Sequence, residues 1–300
     1  MTEYILQQIV NALAVGSEYA LLALGLAIVY SIVNLVNFAH GELITISGFA
    51  MYFAAAAFVP NPWVLVILAV VAATVAAAVF ERVAFRSIRN ASLNTGMLTA
   101  FGVSIIVQNV FVIFVATRPR AVPTPGFLGE IVTIGGLRLP VLQLVETATT
   151  AAAILALVAL LRATKIGLAM RAAARDFTTV RLMGIRANRV IRMAFLISGL
   201  LAGIAAVFIF SRRGAVDPFM GFVPVLKAFV ACVIGGLGSL PGAVLGGMLL
   251  GMFEVFLQVV LPPDAAAYRD AIAFSAVGLV LVLYPQGLLG KRVELGDKET

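Results

Sequence analysis

Polar side chains set inside apolar runs are where this chain could do chemistry. Asn11, Glu18, Asn34, Asn37, His40, Glu42, Gln108, Asn109, Lys227 and Glu254 stand in such runs or at their edges. If the runs cross a bilayer, a charge near its centre costs ~2.5–3.5 kcal/mol on insertion scales. Such residues therefore face the bundle interior, where they pair with one another or line a path. The densest group is NLVNFAHGE, Asn34 to Glu42. Asn37 is placed to cap a helix starting near Phe38. Alternatively, Gly41 breaks the chain and Glu42 falls in the first turn of a second helix, where the dipole favours a carboxylate. Asn37, His40 and Glu42 are thus candidates both for capping and for lining a translocation pathway. His40 and Glu42 lie two apart, so they do not share a helix face and are not a catalytic pair. Lys227 and Glu254 form either a structural ion pair or the two poles of a cavity for a zwitterion.

Enzyme chemistry finds little support. The chain has one histidine and one cysteine, Cys232, in an apolar run. That excludes an internal disulfide and argues against a Cys- or His-based metal site and a Ser-His-Asp triad. No GxxxxGK[ST] phosphate loop occurs; the sole Gly-Lys is Gly290–Lys291, preceded by QGLL. The glycine cluster GGLGSLPG has no soluble strand before it and no βαβ unit around it, so it is not a dinucleotide site. No catalytic residue, metal or cofactor is expected, and the chain is not expected to be an enzyme.

The elements that position the polar residues follow from composition. Of 300 residues, 62% are hydrophobic and 12% charged, with a mean hydropathy of +1.09. Soluble domains carry roughly 25% charge. The apolar runs approach ~20 residues, which is the length of a membrane-crossing helix rather than of a barrel strand. They fall at about 5–34, 38–59, 63–80, 95–116, 141–161, 191–211, 223–238, 241–261 and 270–285. The fold class is all-α, a polytopic membrane helical bundle of about 8–10 transmembrane helices in one domain, 1–300. The run at 223–238 is short and meets Gly235, Gly236, Gly238 and Pro241, which predicts a broken or re-entrant segment near 223–241. The N-terminal MTEYILQQ lacks a basic n-region and is not expected to be a cleaved signal peptide.

Charge gives orientation. Arg162 to Arg192 is a 31-residue polar interruption holding eight of the 21 basic residues and one aspartate. Ala, Leu, Met and Arg make it helix-prone. The positive-inside rule puts 162–192 in the cytoplasm, with 81–94 (Arg82, Arg86, Arg89) and the tail 286–300. The Pro/Gly-rich stretch 117–140 is then external, against the mild conflict of Arg118, Arg120, Arg138, Arg212 and Arg213. Nine crossings place the N-terminus outside. The net charge of +7 is explained by loops, and no nucleic-acid partner is expected. Gly238, Gly242 and Gly246 repeat at four-residue spacing, as do Gly247–Gly251 and Gly199–Gly203. In lipid, close backbone approach of this kind holds helices together.

Several stretches together resemble a known family. NALAVGSEYALLALGLAIVY (11–30), NFAHGE (37–42), GLAMRAAARD (167–176), RLMGI (181–185), GFVPVLKAFVACVIGGLGSLPGAVLGGMLLG (221–251) and PQGLLG (285–290) are similar to the permease subunits of bacterial branched-chain amino acid ABC importers. Within that family they resemble the subunit type that carries NFAHG. The resemblance implies half of a transmembrane pathway in the bacterial inner membrane. It also implies two cytoplasmic ATP-binding subunits, a second homologous permease, an extracytoplasmic substrate-binding protein and an amino acid cargo. The stretch resembling the family's coupling segment is Arg171–Ile185, with Arg171, Arg175, Asp176, Arg181, Leu182, Met183, Gly184 and Ile185. Gly184 fits the glycine of the EAA-x3-G pattern of related importers; Thr178-Thr179-Val180 and Phe177 depart from it, and Ser31 stands where glycine is common.

The residues support that docking role independently. A helical loop carrying Leu168, Leu182, Met183 and Ile185 has apolar anchors for a partner's groove, and Arg171, Arg175 and Arg181 suit its acidic edges. Two alternatives stand beside this reading. One is the same machine with urea, an amide or a sugar as cargo. The other is a lone ion-coupled carrier using Glu18, Glu42 and Glu254, which has no need of a docking helix.

Overall fold

A computed structural model of the chain describes residues 2–57, 61–88, 91–115, 117–123, 126–134, 136–283 and 286–289. Arg89, Pro125, Gly135 and the expected cytoplasmic tail from 290 onward lie outside the described residues. Each of the nine apolar segments is a helix. They are α1 (Thr2–Val33), α2 (His40–Ala57), α3 (Pro62–Phe80), α4 (Leu93–Phe114) and α5 (Val141–Ala163), then α8 (Ala187–Arg213), α9 (Phe222–Gly235), α10 (Leu240–Val260) and α11 (Arg269–Leu283). The polar interruption forms two short helices, α6 (Lys165–Ala173) and α7 (Phe177–Leu182). A π turn, Glu81–Phe85, prolongs α3. Among the described residues, α1, α3, α4, α5, α8 and α10 are long and apolar enough to cross a membrane. The chain is an all-α membrane bundle.

Sequence-local chemistry sets the ends. Asn61 accepts from the Trp63 amide at 3.1 Å and Pro62 opens α3, where a missing N–H costs nothing. Ser239 accepts from the Gly242 amide at 3.1 Å to cap α10, and Thr164 accepts from the Gly167 amide at 2.9 Å to cap α6. The break expected near 223–241 falls at Gly236–Ser239. There the chain reverses, with Gly236 and Gly238 at φ +102° and +83°, and α9 and α10 form an antiparallel hairpin. At 14 residues α9 is only about 21 Å long.

α1 and α8 are the inner helices, and α3, α4 and α5 are peripheral. α10 packs through two glycine rows. Gly242 and Gly246 abut the backbone of Gly235 and Ala231 on α9, while Gly247 and Gly251 abut Ala20 and Gly16 on α1. Gly199 and Gly203 of α8 meet Ala77 and Val70 of α3 in the same way, with a Cβ at Gly199 only 2.6 Å from that of Ala77. The packing pairs form a two-fold pattern: α1 with α10 and α8 with α3, α9 with α10 and α2 with α3, α1 with α9 and α8 with α2. Each short helix of that pattern, α2 and α9, follows a non-helical stretch, 34–39 or 214–221. Gly41 and Gly221, at their first turns, touch backbone to backbone.

The stretch 117–140 contains small β elements that its Pro/Gly content conceals. β1 (Arg120–Ala121) pairs with β4 (Ala215–Val216), and β2 (Ile131–Ile134) pairs with β3 (Leu137–Pro140). These lie at one end of the bundle with the start of α1, where Gln7 bonds the Arg138 backbone. The opposite end carries α6, α7 and the start of α8.

Candidate functional site

The polar residues of α2 radiate toward three neighbours. α1 ends where Asn34 turns at φ +53°, a conformation asparagine tolerates, and 34–39 leads to α2. His40 is fully buried; its Nδ1 lies 3.1 Å from Ser198 Oγ on α8, and its ring occupies the space left by Gly25 of α1. Glu42 points the other way. Its Oε1 accepts from Ser104 Oγ and Gln108 Nε2 on α4, each at 2.7 Å. Asn37 is buried, but its side-chain oxygen has no hydrogen-bond partner, so it does not cap α2. The backbone carbonyl of Asn37 accepts from His40 N instead.

Lys227 and Glu254 meet at 2.8 Å, Nζ to Oε1. Two residues the sequence reading passed over complete the cluster. Tyr19 OH donates to Glu254 Oε2 at 2.7 Å and accepts from Lys227 Nζ at 3.0 Å, and Asp270 of α11 sits 3.2 Å from Lys227. A second cluster lies beside it. Arg212 at the end of α8 donates to Glu18 of α1 at 2.7 Å and to Glu146 of α5 at 2.6 Å. Glu18 and Tyr19 are adjacent on α1, so one helix feeds both networks. In each cluster one cation faces two carboxylates, which satisfies charges whose isolated burial would be prohibitive. Neither Asp270 nor Arg212 is sealed in: their side chains are 47% and 38% exposed.

The loop helices present a different surface. α6 and α7 seat on the bundle through Met170, Ala173 and Val180, all nearly inaccessible. Outward they show Leu168, Leu182 and Met183, at 61%, 83% and 75% exposure, beside Arg171, Arg175 and Arg181. Asp176 lies exposed between the two helices, and Ile185 turns back toward the core. Gly184 adopts φ +77°, a left-handed turn with nothing within 4 Å of where a Cβ would stand. The expected single docking helix is thus two short helices with a tight exit turn. Gly238, grouped by spacing with Gly242 and Gly246, is a turn glycine outside α10; Tyr30, at 3.7 Å, is the nearest group a Cβ there would meet.

Among the described residues no group of three or more His, Cys, Asp or Glu side chains could hold a metal ion. Buried ion networks inside a bundle of long apolar helices define a polytopic membrane protein. The chain matches the family described as branched-chain amino acid transport system, permease component, over residues 8–283, and it belongs to that family. It is 36% identical to the high-affinity branched-chain amino acid transport system permease protein LivH of Escherichia coli K12 over 301 residues, covering 96% of each chain. It is 35% identical to the corresponding BraD protein of Pseudomonas aeruginosa, over 95% of this chain and 96% of that one. A probable permease of this kind from Methanocaldococcus jannaschii is 25% identical over 93% of the chain and 91% of its own length. No solved structure matches the chain. The protein is a multi-pass permease subunit of the ABC class, resident in the cytoplasmic membrane.

Proposed function

We propose that this subunit forms half of a pathway for branched-chain amino acids and takes its energy from separate ATP-binding subunits docked on α6–α7. The observation that carries this reading is the exposed shoulder of Leu168, Leu182 and Met183 flanked by Arg175 and Arg181. Three large apolar side chains on two seated helices, flanked by guanidinium groups, have the character of a groove-filling contact with an acidic rim. The α6–α7 end faces the cytoplasm, where such partners are. At the other end, Arg212 is engaged by two carboxylates, so it no longer counts against that orientation. A second permease of the same family completes the pathway, and an extracytoplasmic binding protein delivers cargo to the end that carries the β strands. Asn37, His40, Glu42, Lys227 and Glu254 belong to the pathway half of the machine. Lys227 and Glu254 hold each other now; parted by a rocking motion, they offer opposite poles to a zwitterion.

The test uses the complete complex in vesicles. Arg175→Glu and Gly184→Leu should leave delivery by the binding protein intact and abolish either assembly or cargo-stimulated ATP hydrolysis with uptake. The isolated subunit should bind no ATP. A cysteine at exposed Ala174, in a Cys232→Ala background, should be labelled only from the cytoplasmic side. Wild-type uptake and ATPase stimulation in both variants would discard the docking role and favour a lone carrier driven through Glu42 and Glu254.

A further inference from the structure

A trough of about 620 Å³ opens between α5 and α10. Both helices pack on α1, and Leu24 of α1, almost fully buried, forms its floor. Leu157 and Val158 of α5 and Val244 of α10 form its walls. Arg162, in the last turn of α5, and Arg171 of α6 stand at the α6 end, both exposed. Three of the long apolar helices supply the trough, so it lies at bilayer depth, and its arginines lie where those helices end.

The lining selects its occupant. Walls of Leu, Ile and Val offer no hydrogen bond to a sugar or amide and suit a methylene chain. Two guanidinium groups at the end offer forked donors that match a phosphate. One molecule of the surrounding solvent has both parts in that order. We propose that the trough holds an acyl chain of an anionic phospholipid from the bilayer, with its headgroup phosphate held by Arg162 and Arg171. The site binds α5 to α10, which do not otherwise pack closely, and ties both to α6. This goes beyond the transport reading and stands whichever end faces the cytoplasm.

The chain is reconstituted into nanodiscs of equal parts phosphatidylglycerol and phosphatidylcholine, and retained lipids are counted by native mass spectrometry. One phosphatidylglycerol per chain should be retained, in about tenfold preference over phosphatidylcholine. Arg162→Gln/Arg171→Gln should bring the preference near unity. Val158→Trp/Val244→Trp should expel the lipid while leaving both arginines in place. Arg186→Gln/Arg189→Gln, at a separate basic hollow beside the start of α8, should retain it. No preference in the wild-type chain, an undiminished preference in Arg162→Gln/Arg171→Gln, or an unchanged lipid count in Val158→Trp/Val244→Trp overturns the proposal. So does a complex in which a cysteine at Val158 crosslinks to the second permease and no lipid is retained.

Discussion

Two groups of positive charge in this bundle are handled in opposite ways. At the end carrying the β strands, Arg212 and Lys227 are drawn in among carboxylates, two apiece, from helices α1, α5, α10 and α11. At the loop-helix end, Arg162, Arg171, Arg175, Arg181, Arg186 and Arg189 stand exposed. Charge turned inward binds helices to each other, and its removal should be felt as lost stability. Charge turned outward is available to partners, and its removal should be felt as lost association. Under the proposed docking, arginine serves architecture in the first group and recognition in the second.

The largest effect should come from what holds both ends in register. Gly246 meets the Ala231 backbone across the α9–α10 hairpin. Gly246→Leu drives a side chain into that carbonyl, with no flexible neighbour to yield. Purification in detergent should recover no monodisperse protein, whereas Gly102→Leu, with open space around the added Cβ, should behave as wild type. Recovery of folded Gly246→Leu would mean that the hairpin is not a fixed unit.

Next is Arg212→Leu, which leaves Glu18 and Glu146 buried without their cation. Breaking a buried pair from one side costs about 3–5 kcal/mol, and thermal unfolding in detergent should show a loss of that size. Lys227→Met should cost less, roughly 2–3 kcal/mol, because Asp270 is half exposed and can turn to water while Tyr19 still donates to Glu254. Lys227→Met/Glu254→Gln should regain most of it, since the stranded charge is gone. If the double variant is as unstable as the single, the cost lies in packing and the inward charges are not what stabilises this end.

The bundle was largely legible in the sequence, because bilayer depth imposes a run length that composition reveals directly. All nine apolar runs are helices, and the break after α9 is announced by Gly235, Gly236 and Gly238. What sequence could not supply is partnership across the fold. Glu18 and Arg212 are 194 residues apart, and no local pattern links them. A signal did exist: Arg212 conflicts with the charge rule, and a charge in the wrong place asks for a hidden partner. Glu146 carries the same signal as Glu18, a carboxylate inside an apolar run, but nothing local names its partner. Periodicity carried the glycine row one step too far, to Gly238, because spacing does not report where a helix begins; Ser239 sets that point by capping. The strands β1 and β4 are two residues each and exist only through each other, so nothing local predicts them.

The smallest stability effect, and the sharpest test of the contrast, belongs to Leu182→Ser/Met183→Ser. Both side chains are more than two-thirds exposed and follow the buried Val180 that seats α7. Removing them leaves Met170, Ala173 and Val180 in place, so unfolding should shift by no more than about 0.5 kcal/mol. Association should respond quite differently. Two apolar anchors at the centre of a protein contact are worth about 1 kcal/mol each, so affinity for the ATP-binding subunits should fall at least tenfold. Pull-down from detergent and ATPase stimulation in vesicles read this directly, with Arg212→Leu as the inverse control: unstable, but with its docking surface intact. If Leu182→Ser/Met183→Ser unfolds early, the shoulder belongs to the core. If it is stable and still binds fully, the partner docks elsewhere, and the outward arginines serve only to keep this end on its side of the membrane.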